Sequence, residues 1–137
     1  MGINDLLQSA GGPKQFVTEE NLEETVGRQV SLVPATLETL RHLEDQPSEA
    51  LRLEFFFYTN AAGKAKEFAE FLQKRGYSAA YAKAAGISNS FLITGWTDKI
   101  SMKQENVIAW TQEMCELGYQ YDCEFDGWGT TPDQGEE

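Results

Sequence analysis

Leu51-Arg52-Leu53-Glu54-Phe55-Phe56-Phe57-Tyr58-Thr59 is the stretch that decides the fold of this chain. Read with a period of two, Leu51, Leu53, Phe55 and Phe57 share one face, and Arg52, Glu54, Phe56 and Tyr58 share the other. One face is wholly apolar and the second carries two aromatic rings. That density suits a strand in the middle of a sheet rather than at its edge.

C-terminal to this strand the period switches to that of a helix. Asn60 is placed to cap a helix over 61–75, whose inward stripe is Ala65, Phe68, Ala69 and Leu72. Gly76 stops it. A weaker strand over 77–84 and a stronger one over 90–97 flank a hairpin turn at Gly86 to Asn89. Asp98 to Lys103 leads into a second helix with Val107, Trp110, Met114 and Leu117 inward, and Gly118 is read as its end. The alternation of 119–126 predicts a last strand. Tyr119, Tyr121, Cys123 and Phe125 lie on one face, and Gln120, Asp122, Glu124 and Asp126 on the other.

The order strand–helix–strand–strand–helix–strand predicts an α+β, ferredoxin-like βαββαβ domain. Two right-handed crossovers give a four-stranded antiparallel sheet in the order 4-1-3-2, with two helices on one face. N-terminal to the first strand, Thr18 precedes Glu19-Glu20 as a helix start, since acids in a first turn are favoured by the helix dipole. Pro34 is read as opening a second helix to about Leu43, with Leu37, Leu40 and Leu43 at helical spacing and Gln46-Pro47-Ser48 ending it. The organisation expected is a flexible leader over 1–17, where Gly11-Gly12-Pro13 follows a short apolar patch, then a helical segment over 18–49, the main domain over 50–130 and an acidic tail over 131–137.

A chain of 137 residues that is 41% hydrophobic can bury one core. Its net charge of −11 is uneven: nine acids and no base follow Lys103. Such a surface repels phosphate backbones and attracts basic partners, besides keeping the protein soluble. Cys115 and Cys123 form no Cys-x-x-Cys pair and both fall at apolar positions, as reduced thiols do in a reducing cytoplasm. The start has no basic region followed by an apolar core of signal-peptide length, and no run approaches the ~20 apolar residues of a membrane span.

Catalysis finds little support. The sole histidine, His42, lies in a helix between apolar neighbours, as a boundary residue does. No Gly-x-Ser-x-Gly elbow is present, and Ala61-Ala62-Gly63-Lys64 lacks the length and the Ser or Thr of a phosphate loop. No catalytic residue, cofactor or metal is therefore expected. Asp122, Glu124 and Asp126 would stand about 7 Å apart on one strand face. A solvated edge is the plain reading of them, ahead of a hard-cation site. Phe56, Tyr58, Leu92 and Trp96 would occupy an open sheet face. The topology is also that of the RNA recognition motif, which stacks bases on such residues. The acidic charge argues against RNA, and Ser90-Phe91-Leu92-Ile93-Thr94-Gly95 lacks that motif's basic, glycine-led pattern. The helix carrying Leu37, Leu40 and Leu43, or a partner, is expected to cover these aromatics.

Three features carry a resemblance: Phe55-Phe56-Phe57-Tyr58-Thr59, Gly76-Tyr77 and, above all, Asp126-Gly127-Trp128-Gly129 just after the last strand. Over roughly residues 35–130 the chain resembles the family called regulator of ribonuclease E activity B. The resemblance implies a cytoplasmic, ferredoxin-like, non-catalytic protein that binds and inhibits an RNA-degrading endonuclease, contacting the enzyme rather than its RNA. That target's non-catalytic region is arginine-rich, which suits an acidic regulator. The chain departs from better-known members in its short tail after Thr130, where they carry a long acidic extension. The candidate partner-binding residues are Asp122, Glu124, Asp126 and Trp128. Trp128 is read first as closing the core where the last strand ends, and alternatively as an interface anchor. The other function in view is a small-molecule-sensing or oligomerisation domain, since ferredoxin-like sheets often pair with one another.

Overall fold

The computed structural model describes residues 15–42, 49–86 and 89–130. Residues 1–14 of the leader expected over 1–17, Leu43 and the Gln46-Pro47-Ser48 helix stop, the turn residues Ile87 and Ser88, and the acidic tail over 131–137 lie outside the described residues.

The described elements are α1 (Glu19–His42), β1 (Ala50–Thr59), α2 (Ala62–Lys74), β2 (Ala80–Lys83), β3 (Phe91–Ser101), α3 (Gln104–Gln120) and β4 (Glu124–Gly129). The strands form one sheet in the order β2-β3-β1-β4, and every neighbouring pair is antiparallel. Read from the other edge this is the expected order, with β1 and β3 central. Leu51, Leu53, Phe55, Phe57 and Thr59 are buried and alternate with half-buried Arg52, Glu54, Phe56 and Tyr58.

Helices α2 and α3 pack on the buried face. Ala65, Phe68, Ala69 and Leu72 point inward, and the Phe57 and Phe68 rings meet edge to face at 4.6 Å. Trp110 and Met114 complete this core from α3. Helix α2 ends as expected. Gly76, at φ +101, lets its own N–H reach the Gln73 carbonyl and the Tyr77 N–H reach that of Leu72, which satisfies the last free carbonyls. Asn60 is not its cap. Ala61 holds that position, and the Asn60 carboxamide oxygen instead accepts from Lys64 Nζ at 2.8 Å.

Helix α1 corrects two expectations. It is one continuous helix of 24 residues running through Pro34, not two. Thr25, Gln29, Val33 and Leu37 are its buried residues, a four-residue repeat that extends on both sides of Pro34. Val33 and Leu37 pack on Val107 of α3, and that shared burial outweighs the one backbone hydrogen bond the proline removes. Thr18 does start it, accepting from the Asn21 N–H at 3.1 Å. Helix α1 packs on α3 and the edge of β4, and of the open-face residues only Phe56 lies beside it, across a cavity, so contrary to expectation it does not cover Tyr58, Leu92 and Trp96.

The strand limits also shift. The ladder of β2 is confined to 80–83 because Ser78 and Ala79 cross directly over Gly95. A Cβ there would stand 2.0 Å from the Ser78 carbonyl oxygen. Strand β3 runs four residues beyond Thr97 to pair with Ala50–Arg52. A bulge between Arg52 and Glu54 is filled by the Thr97 hydroxyl, which accepts from the Leu53 N–H at 2.9 Å.

The two cysteines, both free, belong to the main core. Burial pushes each thiol up to about 12. A thiol held neutral in the fold ionises in the unfolded chain from about pH 9, so the unfolded state then binds fewer protons. Stability is therefore expected to be level below pH 9 and to fall as pH rises toward 12. Urea titrations at a series of alkaline pH values check this, and Cys115→Ala with Cys123→Ala should flatten the slope.

Candidate partner interface

The last strand does not begin where the alternation predicts. Helix α3 continues past Gly118 to Gln120, and β4 starts at Glu124. Gly118 is glycine for packing: a Cβ would stand 2.5 Å from the Cys123 carbonyl oxygen and 2.7 Å from the Phe57 ring. The residue that ends the helix is Asp122, in the left-handed region at φ +60. The Cys123 N–H bonds the Gly118 carbonyl at 2.7 Å and the Asp122 N–H bonds that of Tyr119 at 3.0 Å, the same device that Gly76 provides for α2.

This placement removes Asp122 from the expected acidic face. Its carboxylate accepts from the backbone N–H groups of Phe16 and Val17 at 2.7–2.8 Å and pairs with the Lys64 ammonium. Its carbonyl accepts from the Thr59 hydroxyl at 2.8 Å. One residue thus joins the N-terminal segment, the end of β1, the start of α2 and the turn before β4. Val17, assigned from sequence to the leader, is only 2% exposed. The reading of Asp122, Glu124 and Asp126 as one row of carboxylates is corrected for this reason. Among the described residues no group of three or more His, Cys, Asp or Glu is placed to hold a metal ion.

Glu124 and Asp126 have different surroundings. Glu124 pairs across to Tyr58, on the open face, and its carboxylate lies 3.5 Å from the Thr25 hydroxyl of α1. Asp126 is exposed. Between Phe56 and Phe57 the β1–β4 register slips by one residue, so Asp126 and Gly127 together oppose Phe56. Gly127 sits at φ +127, a conformation that disfavours any side chain.

The bulge reverses the parity of the strand. With strict alternation, Phe125 inward would put Trp128 outward. The extra residue turns Trp128 back to the side of Phe55, its cross-strand partner. Its indole meets that of Trp110 edge to face, with centroids 6.3 Å apart, and packs against both core clusters. Trp128 is half-buried, so it closes the core while keeping an outward edge.

The open face is assembled by register. Trp96 stands opposite Glu54, Thr94 opposite Phe56, and Leu92 opposite Tyr58. Phe56, Tyr58, Leu92 and Trp96 are all half-buried. The acids Glu124 and Asp126 border these aromatics, so two groups separate in the sequence form one surface. Beside Phe56, a cavity of about 250 Å³ is lined by Gln29, Leu32 and Thr36 of α1 and by Asp126, Gly127 and Trp128. The α1 residues were missed. The one signal for them is Leu32, an apolar side chain off the buried repeat and 51% exposed. His42 is exposed, 3.2 Å from Glu38 on its own helix.

A family model described as regulator of ribonuclease activity B matches residues 34–130. The chain belongs to that family. A comparison with curated proteins gave no match. The match to the ribonuclease regulators takes in the whole sheet, α2, α3 and the Asp126–Gly129 bulge, and it begins midway along α1 at Pro34. Membership makes the protein a member of a family that regulates ribonuclease activity. Among the described residues no helix is long and apolar enough to cross a membrane.

Proposed function

We propose that the protein is a non-catalytic acidic regulator that binds an endoribonuclease of the E type in the cytoplasm and inhibits it, slowing RNA degradation. The observation that carries this reading is the family match over 34–130. The charge distribution supports a basic protein segment as the contact: Glu124 and Asp126 border an apolar sheet face, and no base follows Lys103. The ferredoxin-like reading of the sheet agrees with this, since such a sheet leaves one face free for a partner. RNA is a poor ligand for a surface of this charge.

The test is purification of the ribonuclease with and without the protein, followed by an RNA cleavage assay. Cleavage is expected to slow in proportion to the regulator bound. The informative charge variant is Glu124→Gln with Asp126→Asn, which keeps shape. Asp122 is left alone because of its internal bonds. Both substitutions lie at solvent-accessible positions, so stability should move by less than about 0.5 kcal/mol. Association should weaken severalfold, and the wild-type on-rate should fall as salt shortens the screening length below ~8–10 Å. Equal binding by variant and wild type across a salt series would reduce these acids to a solubility feature.

A further inference from the structure

Gly129 is a glycine that the fold does not require. It lies in β4 opposite Glu54, outside the positive-φ region. A Cβ built there meets nothing within 4 Å. Gly129 is the last residue of β4, still paired with Glu54; a glycine at a paired strand position forfeits side-chain packing, and one recognised reason to keep it is the close approach of another chain or ligand. Its neighbour Gly127 is fixed by backbone conformation instead. Together they leave β4 without a side chain at the two positions paired with Phe56 and Glu54, beside the bulged Asp126.

That bare strip adjoins the cavity beside Phe56. Leu32 stands on the α1 wall of that cavity, and with Tyr81 it is one of two large hydrophobics exposed among the described residues. The volume of about 250 Å³ falls below the ~300–1,000 Å³ of usual small-molecule sites, and it suits one large side chain. Asp126 lines it, and Glu54 and Glu124 (opposite Tyr58) stand on the same sheet face, on either side of Phe56 along the strands. On that face Arg52 turns its guanidinium to the Thr97 carbonyl at 3.2 Å. The rim therefore favours cations and the floor favours an apolar group.

We propose that this groove, with Leu32 and Phe56 as its apolar walls and the strip Gly127–Gly129 as its open side, seats a segment of the ribonuclease that carries a large apolar residue flanked by arginine or lysine. The inference rests on the regulatory reading above and adds where and by what chemistry the partner is held. Gly129 admits a backbone past β4, Phe56 and Leu32 take the apolar anchor, and the three acids pair with the flanking bases.

Gly129→Val tests it, since valine suits a strand and its Cβ would meet nothing within 4 Å at this position. Its melting temperature is expected to be unchanged or higher than wild type. Binding to the purified ribonuclease, followed by titration calorimetry, should weaken at least tenfold. Leu32→Ser should weaken binding severalfold, and Tyr81→Ser, removing the other exposed hydrophobic, should leave it unchanged. If wild type binds the enzyme and Gly129→Val binds equally well, the groove is refuted while the regulatory reading stands. If wild type does not bind the enzyme, the regulatory reading falls and the groove assigned to that partner falls with it. Sedimentation showing a wild-type dimer that Gly129→Val dissociates would overturn the proposal in favour of a second copy as the occupant. Retardation of free RNA by wild type but not by the variant would overturn it in favour of nucleic acid.

Discussion

Asp122→Ala is expected to cost the fold about 2–4 kcal/mol, near the cost of breaking a buried ion pair and reduced for partial exposure. The side chains of Lys64 and Asp122 are 21% and 19% exposed, so water screens the pair only in part. Two backbone N–H groups, of Phe16 and Val17, would lose their acceptor, and a hydrogen bond to a charged group contributes more than one between neutral groups. Alanine also fits the left-handed conformation at φ +60 poorly. These effects separate by choice of variant. Asp122→Asn tolerates the conformation and keeps one acceptor oxygen, so it should lose about half as much. Asp122→Gly removes the conformational cost and both carboxylate acceptors, so it should stay well below wild type. Urea unfolding at neutral pH measures all three. A glycine variant as stable as wild type would mean that the carboxylate holds nothing together. The expected drop for alanine corresponds to roughly 10 °C in a chain of this size.

The parts of the fold that were legible in the sequence are those where one periodicity holds without interruption. Leu51 to Phe57 alternates cleanly, and that alternation placed β1 in the centre of the sheet. Ala65, Phe68, Ala69 and Leu72 recur at helical spacing, and a glycine at 76 ends the run. The errors cluster where a residue does an unusual job. Gly118 resembles a helix stop, yet it is required by the approach of Cys123 and Phe57. The true stop is an aspartate whose cost is met by contacts more than 50 residues away at Lys64 and more than 100 away at Phe16. Tyr119 and Tyr121 alternate with polar residues over a stretch too short to tell the last helical turn and the turn after it from a strand. Pro34 misleads for a related reason, since its local preference is overridden by packing of Val33 and Leu37 on α3. The interface was half legible. Strand alternation pointed to Glu124, Asp126 and the open-face aromatics, but their meeting depends on register. Gln29 and Leu32 join them only through tertiary packing.

Trp128→Ala is expected to lose about 2–4 kcal/mol, at or just below the usual range for deleting a core tryptophan because the indole is half-buried. The ring links two groups of packed residues. On one side lie Phe55, Trp110 and the sheet core, and on the other Val33, Leu37 and Val107 between α1 and α3. Removing it opens a void where both meet, so α1 should loosen first and show faster amide exchange than β1 and β3. Trp128→Phe should recover more than half of the loss. The orientation of the ring depends on the bulge, so Gly127→Ala tests the same feature from the backbone. Alanine at φ +127 is strained, and relief of that strain by restoring regular pairing would turn Trp128 out to solvent. The fluorescence of Trp128 should then shift to longer wavelength, read with Trp96 and Trp110 replaced by phenylalanine. Both variants should also weaken ribonuclease binding, because the indole lines the groove beside Phe56. The ratio of the two effects decides its role. Stability lost together with binding marks Trp128 as the residue that holds the groove in shape. Binding lost at unchanged stability would make the indole itself the contact and would contradict the closure of the core described above.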